Sequence, residues 1–233
     1  MTAFNYGVIG RGRWGARIAA ILTEMGRPVT VIGRSQAPPR QVDVLWIAVP
    51  PVAQEAVVEA SLATRCHLVV EKPWLASAAL TASIGANLRN ENRHVAVHFE
   101  YCYLSELAPL AASPDFQGTA DFLGAFETAK ANRLKIPALQ NLGIHIAAIR
   151  RRWFSSARLV NVEAAYGTRE RRLIELASRG MKTGVDFTNQ RQPVIQRFIE
   201  DFESHIRTGT RFPLDLEFAR ASLSDLESLP RRG

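Results

Sequence analysis

A chain of 233 residues with 47% hydrophobic and 22% charged side chains has the length and mix of a folded globular protein with one or two domains, not of a mini-scaffold or a disordered segment. No run approaches the ~20 apolar residues of a membrane span, and Arg11, Arg13 and Arg17 interrupt the start where a signal peptide would be apolar, so a cytoplasmic protein without membrane contact is expected. The net charge of +7 lies in the second half: residues 1–126 hold 10 Lys/Arg against 10 Asp/Glu, residues 127–233 hold 19 against 12.

The densest basic run, Arg150-Arg151-Arg152, follows an apolar helical stretch, where cations suit a helix C-terminus. No aromatic residues interleave it in the manner of a nucleic-acid site, so no nucleic-acid partner is expected. Cys66 and Cys102 lack metal-ligand spacing and read as reduced thiols, with no metal site.

In chain order, Tyr6–Ile9 is a short apolar strand, and Trp14–Met25 places apolar side chains at helical spacing before Gly26 and Pro28. Val29–Ile32 predicts a second strand, and Val44–Val49 is a continuous apolar run suited to a strand covered on both faces. A helix over Val52–Leu62, a strand at His67–Val70, a helix over Ser77–Asn90 and a strand at His94–Val97 follow. That rhythm predicts a five-strand parallel sheet built from βαβ units.

Beyond Pro114, Phe122–Thr128 and Leu159–Tyr166 alternate like strands of a sheet with one open face. A helix from Pro137 through Leu139–Ile149 lies between them, and helices over Pro193–Ile206 and Leu214–Leu226 close the chain. The fold class is α/β: a reduced Rossmann-type parallel sheet over residues 1–113, then a smaller α+β domain over residues 114–233.

Gly10-Arg11-Gly12-Arg13-Trp14-Gly15 is a G-x-G-x-x-G loop between the first strand and the first helix. The first glycine permits the tight turn, the second lets backbone amides approach a pyrophosphate, and the third lets helix and strand pack closely. Methyltransferases use related loops and a purely structural turn can carry the same glycines; the strand-loop-helix context is what points to a dinucleotide. At the end of the second strand, Gly33-Arg34-Ser35 offers no carboxylate for an adenosine ribose. A guanidinium beside a hydroxyl suits a 2′-phosphate, so NADP(H) is favoured over NAD(H). Val49-Pro50-Pro51 and Glu71-Lys72-Pro73 end two further parallel strands, where open α/β sheets bind ligands.

GVIGRGRWG, then VDVLWIAVPP, then HLVVEKPW resemble, in that order, the Gfo/Idh/MocA oxidoreductases, the family of glucose-fructose oxidoreductase and inositol dehydrogenase. The resemblance runs through residues 3–110 and is only local beyond. It implies a nicotinamide-dependent oxidoreductase acting on a small polar metabolite: a ketone or secondary alcohol of a sugar-like or cyclitol compound, or a cyclic imine. It also implies a role for Lys72 beside the nicotinamide and the reacting carbon, where an ammonium polarises a carbonyl or stabilises an alkoxide. Without the motif, Lys72 reads as a surface lysine closing a strand.

The family's acid four residues before a histidine falls on Asn141-Leu142-Gly143-Ile144-His145. A spacing of four puts Asn141 and His145 on one helix face, with His145 as general acid/base. A lone histidine in an apolar helix is otherwise a core residue. Asn141 departs from the pattern, because an amide cannot carry the charge that stabilises imidazolium. Tyr101, in His98-Phe99-Glu100-Tyr101-Cys102-Tyr103, is a substrate-wall candidate, and Cys102 falls where the family commonly has an arginine.

The chain is also shorter than the family's usual members. Between Ile32 and Val44 only a short loop replaces a further strand and helices, so it resembles a compact member. The alternative is a catalytically inactive NADP(H)-binding sensor or partner subunit. The open second sheet predicts a homo-oligomer, most simply a dimer.

Overall fold

The computed structural model describes residues 2–33, 42–113, 120–128, 136–167, 170–178, 181–188 and 192–230. They form two compact units: Met1–His98 with Gln196–Arg220, and Phe99–Ile195 with Ala221–Gly233.

In the first unit, strands β1 (Tyr6–Ile9), β2 (Val29–Ile32), β3 (Val44–Ile47), β4 (His67–Glu71) and β5 (Val95–His98) alternate with helices α1 (Arg13–Glu24), α2 (Pro51–Ser61) and α3 (Ala78–Asn90). All five strands are parallel, in the order β2-β1-β3-β4-β5, as the βαβ rhythm predicts. Of the predicted doubly covered run Val44–Val49, the strand residues Val44–Ile47 are fully buried and Ala48 and Val49 are half-buried. Ser77 caps α3 by accepting the Leu80 amide at 3.2 Å.

Helix α6 (Gln192–Thr208) brings the chain back to this unit. Its Phe198 ring lies 5.9 Å from Trp46 and 4.8 Å from His98, and Phe202 and Phe212 extend the aromatic layer. Glu203 on the same helix is buried and takes Arg27 through two bonds of 2.9 Å while accepting from Tyr6 Oη at 3.1 Å. These contacts join part of α6 to the first unit, so the chain divides after His98, within α6 and again after Arg220, whereas the sequence places one break after residue 113.

The second unit holds a 3-10 turn (Glu100–Tyr103), α4 (Leu107–Ala112), β6 (Asp121–Thr128), a π-turn (Leu139–Gly143), α5 (Ile144–Trp153), β7 (Arg158–Tyr166), β8 (Arg171–Ser178) and β9 (Met181–Asp186). The sheet is mixed, in the order β7-β6-β8-β9, with β6 parallel to β7 and antiparallel to β8. Phe122, Gly124 and Phe126 line the inner face of β6. A Cβ on Gly124 would stand 2.2 Å from Ile146 Cγ2, so the glycine is what lets α5 lie directly on the strand.

The outer face bears ion-paired rows, Arg171 with Glu127 and Glu163 at 3.7 and 3.5 Å, and Lys182 with Glu175 at 2.7 Å, around half-buried Leu123 and Leu173. The arginine run closes α5: Arg150 Nε donates to the Ala157 carbonyl at 2.7 Å and Arg151 pairs with Asp225 at 2.7 Å. This is the helix-end role expected of it. The last helix is α7 (Leu216–Glu227).

Cys66 and Cys102 are free thiols, both buried, one in each unit. Cys66 Sγ donates to the Val42 carbonyl at 3.1 Å, and burial pushes the Cys102 thiol well above its ordinary value. No helix among the described residues is long and apolar enough to cross a membrane.

Candidate active site

One group of candidate residues lies in the first unit, at the carboxyl ends of β1, β3 and β4, which are neighbours in the sheet. The Gly10 amide bonds to the Ile32 carbonyl at 3.2 Å and the Ala48 amide to the Ile9 carbonyl at 2.8 Å, so the loops leave the sheet edge in register. Gly10 has φ +124°, and a Cβ there would stand 2.4 Å from the Ala48 carbonyl oxygen. A Cβ on Gly15 would stand 2.0 Å from the Gly10 oxygen, whereas one on Gly12 meets nothing within 4 Å.

The outer glycines are thus demanded by close backbone packing, and the middle one faces open space at the N-terminus of α1. No side chain caps that end of the helix. Arg11, Gly12 and Arg13 are exposed around it. Unscreened helix amides, added cationic side chains and room at the second glycine are what a pyrophosphate requires, so these residues fit a dinucleotide.

On the next strands, Pro50 precedes α2 and Pro51 is its first residue. Gln54, on the first turns of α2, donates from Nε2 to the Glu71 carbonyl at 2.6 Å, tying this loop to the turn that carries Lys72. Lys72 is half-buried, and the Lys72–Pro73 bond is cis. Trp74 anchors the far side of the turn, donating from Nε1 to Thr81 Oγ1 of α3 at 2.9 Å.

Glu71, grouped with the cofactor loop in the sequence reading, has its carboxylate engaged inside the protein. Its Oε1 accepts from Trp46 Nε1 at 2.8 Å and lies 2.9 Å from His98 Nδ1. The register explains the meeting: Glu71 and His98 are paired across β4 and β5, and Trp46 is paired with Val69, two residues before Glu71 and on the same face. Burial alone pushes the Glu71 carboxyl up, but the charge of His98 and the bonds from His98 and Trp46 outweigh it. They hold Glu71 below its ordinary value of 4.5.

A second group of candidate residues belongs to the other unit. His145 is the second residue of α5 and is buried. Its ring stacks on Phe126 at 5.1 Å and meets Tyr101 edge-on at 4.9 Å. Tyr101 is itself buried and packs against Phe126 and Phe187. Where the sequence predicts one continuous helix, the stretch before His145 is a π-turn, the wider coil that frequently marks functional positions. Asn141, inside that turn, donates from Nδ2 to Tyr166 Oη of β7 at 2.5 Å.

The structure also brings up two residues that sequence reasoning left without a part, His98 and Glu100. Glu100 opens the 3-10 turn after β5, is buried, and places Oε2 4.0 Å from His145 Nδ1. An acid two residues after the end of a buried strand is the signal the sequence offers. Arg34 and Ser35 lie outside the described residues.

No protein-family model matches the chain, and no curated protein does. Solved structures do. GenD2 from gentamicin A biosynthesis, solved with NAD, superimposes with a TM-score of 0.81 at 15% identity, over 98% of this chain and 93% of that one. UDP-N-acetylglucosamine 3-dehydrogenase GnnA from Acidithiobacillus ferrooxidans gives 0.81 at 16% identity, over 98% and 97%. KijD10, a 3-ketoreductase from Actinomadura kijaniata solved with NADP and TDP-benzene, gives 0.71 at 11% identity, over 98% and 97%. The chain has the fold of these enzymes. A parallel Rossmann-type sheet followed by a mixed second sheet is thus an architecture it holds in common with them.

Proposed function

We propose that this protein is an NAD(P)-dependent oxidoreductase of the Gfo/Idh/MocA type that exchanges a hydride with a small polar metabolite. The observation that carries the reading is the glycine loop whose outer members admit no Cβ and whose middle member faces open space, beside the Glu71-Lys72-Pro73 turn at the sheet's carboxyl edge. A nicotinamide dinucleotide held there supplies or accepts the hydride. Gly10, Gly12 and Gly15 with the first amides of α1 hold its pyrophosphate, Arg11, Arg13 and Trp14 border it, and Val49, Pro50, Pro51 and Pro73 shape the floor. The Glu71 network keeps the turn of Lys72 in place.

Lys72 polarises the carbonyl oxygen or supports the alkoxide. His145 gives a proton to that oxygen or to an imine nitrogen in reduction, and takes it in oxidation. Tyr101 and Asn141 border the substrate. One neighbour named a UDP-N-acetylglucosamine 3-dehydrogenase and another named a 3-ketoreductase support a sugar-like ring alcohol or ketone as the substrate class, ahead of a cyclitol or a cyclic imine.

Arg34 and Ser35 favour NADP(H), by the phosphate chemistry of a guanidinium beside a hydroxyl. Arg34→Asp should lower the NADPH to NADH affinity ratio measured by calorimetry; an unchanged ratio removes Arg34 from that role. The outer face of the second sheet, with Leu123 and Leu173 among its paired charges, is the surface through which we expect two copies to join in a cytoplasmic homodimer. Light scattering at micromolar concentration reads this directly.

The decisive experiment for the activity follows NADPH absorbance with a panel of sugar ketones, cyclitol ketones and cyclic imines. Turnover establishes the oxidoreductase. Tight cofactor binding with no turnover across the panel, and none of NADP+ with the matching alcohols, would instead make the chain a cofactor-binding sensor or partner subunit.

A further inference from the structure

We propose that Glu100 is the carboxylate partner of His145, standing in for the acid that Asn141 replaces. The inference rests on the acid/base role given to His145 above. An imidazole that exchanges protons at one nitrogen works best when an anion faces the other, fixing the tautomer and stabilising the imidazolium. At position 141 this chain has an amide, whose Nδ2 is turned to Tyr166 Oη. The carboxylate arrives from a different element: Glu100 Oε2, on the 3-10 turn after β5, lies 4.0 Å from His145 Nδ1. That separation is too long for a hydrogen bond and within reach of an ion pair.

The surroundings make this charge count. Both side chains are buried, and the imidazole is enclosed by Phe126, Tyr101 and, at 6.4 Å, Phe99, so water screens the pair poorly. Three arginines of the same unit have carboxylate partners of their own. The Arg172 guanidinium of β8 lies over the Phe126 ring at 5.1 Å and pairs with Glu170. Arg150 and Arg151, at the opposite end of α5, pair with Asp225. From β7 the Tyr166 hydroxyl meets the π-turn through Asn141, beside the apolar Val162 and Ala164.

With Nδ1 facing Glu100, Nε2 is the nitrogen assigned to substrate. In reduction the proton leaves Nε2 for the substrate oxygen and the ring becomes neutral; in oxidation it returns and the Glu100 charge holds the imidazolium. Glu100 therefore acts through His145 and is a positioning residue.

The test is an NMR titration of the five histidines in the full chain without ligands, with His145 assigned by comparison with His145→Gln. Glu100→Gln should lower the His145 titration midpoint by about one unit, because an adjacent anion favours the charged ring. Glu100→Asp should move it less, and it serves in place of Glu100→Gln should the amide variant fail to fold. An unchanged midpoint overturns the proposal. This measurement does not depend on turnover, so it decides the pairing even if no substrate is found.

Where turnover is found, the His145-dependent limb of the pH–rate profile should move to lower pH by the same amount in Glu100→Gln. Adding Asn141→Asp to that variant should restore it. A Glu100→Gln profile reduced at every pH without a shifted limb would mean a merely structural role, and would also overturn the proposal.

Discussion

Each unit of this protein buries a carboxylate beside an imidazole, and the two pairs are built differently. In the first unit, Glu71 is bonded to His98 at 2.9 Å and to the Trp46 indole at 2.8 Å, on three neighbouring parallel strands. In the second, Glu100 stands 4.0 Å from His145, one on a 3-10 turn and the other two residues beyond a π-turn. A carboxylate fixed by two short bonds inside a sheet serves to hold a turn. One facing an imidazole at ion-pair distance, inside aromatic walls, is arranged to stabilise a charge that comes and goes.

The largest effect should separate the histidines by function. Removing a positioned general acid costs on the order of 10²–10⁴ in rate, so His145→Ala and Lys72→Ala should lose most of kcat while NADPH affinity, measured by calorimetry, changes little. His98→Ala, once folded, should keep most of its turnover and lose stability instead. Equal loss of kcat in His98→Ala and His145→Ala, both at full foldedness, would erase the distinction between the pairs.

Next in size is the structural pair itself. Glu71→Ala leaves His98 Nδ1 and Trp46 Nε1 without their shared acceptor, and breaking a buried pair from one side costs about 3–5 kcal/mol. Denaturant unfolding measures it. Because the folded state holds the Glu71 carboxyl below its ordinary value of 4.5, its contribution is complete above that value and is lost as pH falls through the depressed one. Wild-type protein should therefore lose this stability below about pH 4.5, and Glu71→Gln should not.

Gly124→Ala should be milder, about 1–3 kcal/mol, through the added Cβ against Ile146. It should also lower kcat, since α5 carries His145 and must move away from β6; thermal unfolding and turnover measured together check both. The smallest effect belongs to His67. Its Nδ1 accepts the His94 amide at 3.0 Å, and burial, with the nearby His94 and Arg93 charges, lowers its pKa from 6.5 to about 4. A folded-state value below the unfolded one means stability is lost as pH falls from 6.5 towards 4. His67→Gln should flatten that part of the stability curve.

The first unit was largely legible because its signals are local. Glycines, prolines and short apolar runs punctuate each strand, loop and helix, and the parallel order follows from the alternation alone. The second unit hides its signals. Strand β8 reads poorly because a core position holds Arg172, buried and bonded to Thr188 and Glu170, which breaks the alternation of Leu and Ile beside it. Strand β9, Met-Lys-Thr-Gly-Val-Asp, has only Met181 and Val185 as apolar residues, with Gly184 between them, and forms by pairing with β8.

The candidate site divides the same way. The glycine loop and Glu71-Lys72-Pro73 are contiguous motifs, whereas the nearness of Glu100 to His145 arises from residues 45 positions apart, and their spacing carries no period that would announce it. The π-turn is equally silent, since its apolar residues satisfy an α-helical pattern.

One pair of side chains described with the fold makes the molecule its own recorder. Cys66 lies in the first unit and Cys102 in the second, both enclosed, and the Cys102 thiol is held in its protonated form by burial. Thiol reagents attack the thiolate, so each cysteine should react only when its surroundings open. Pulse alkylation followed by mass spectrometry of the two peptides would then time the breathing of each unit separately in the unmodified protein, with no engineered probe or reporter dye.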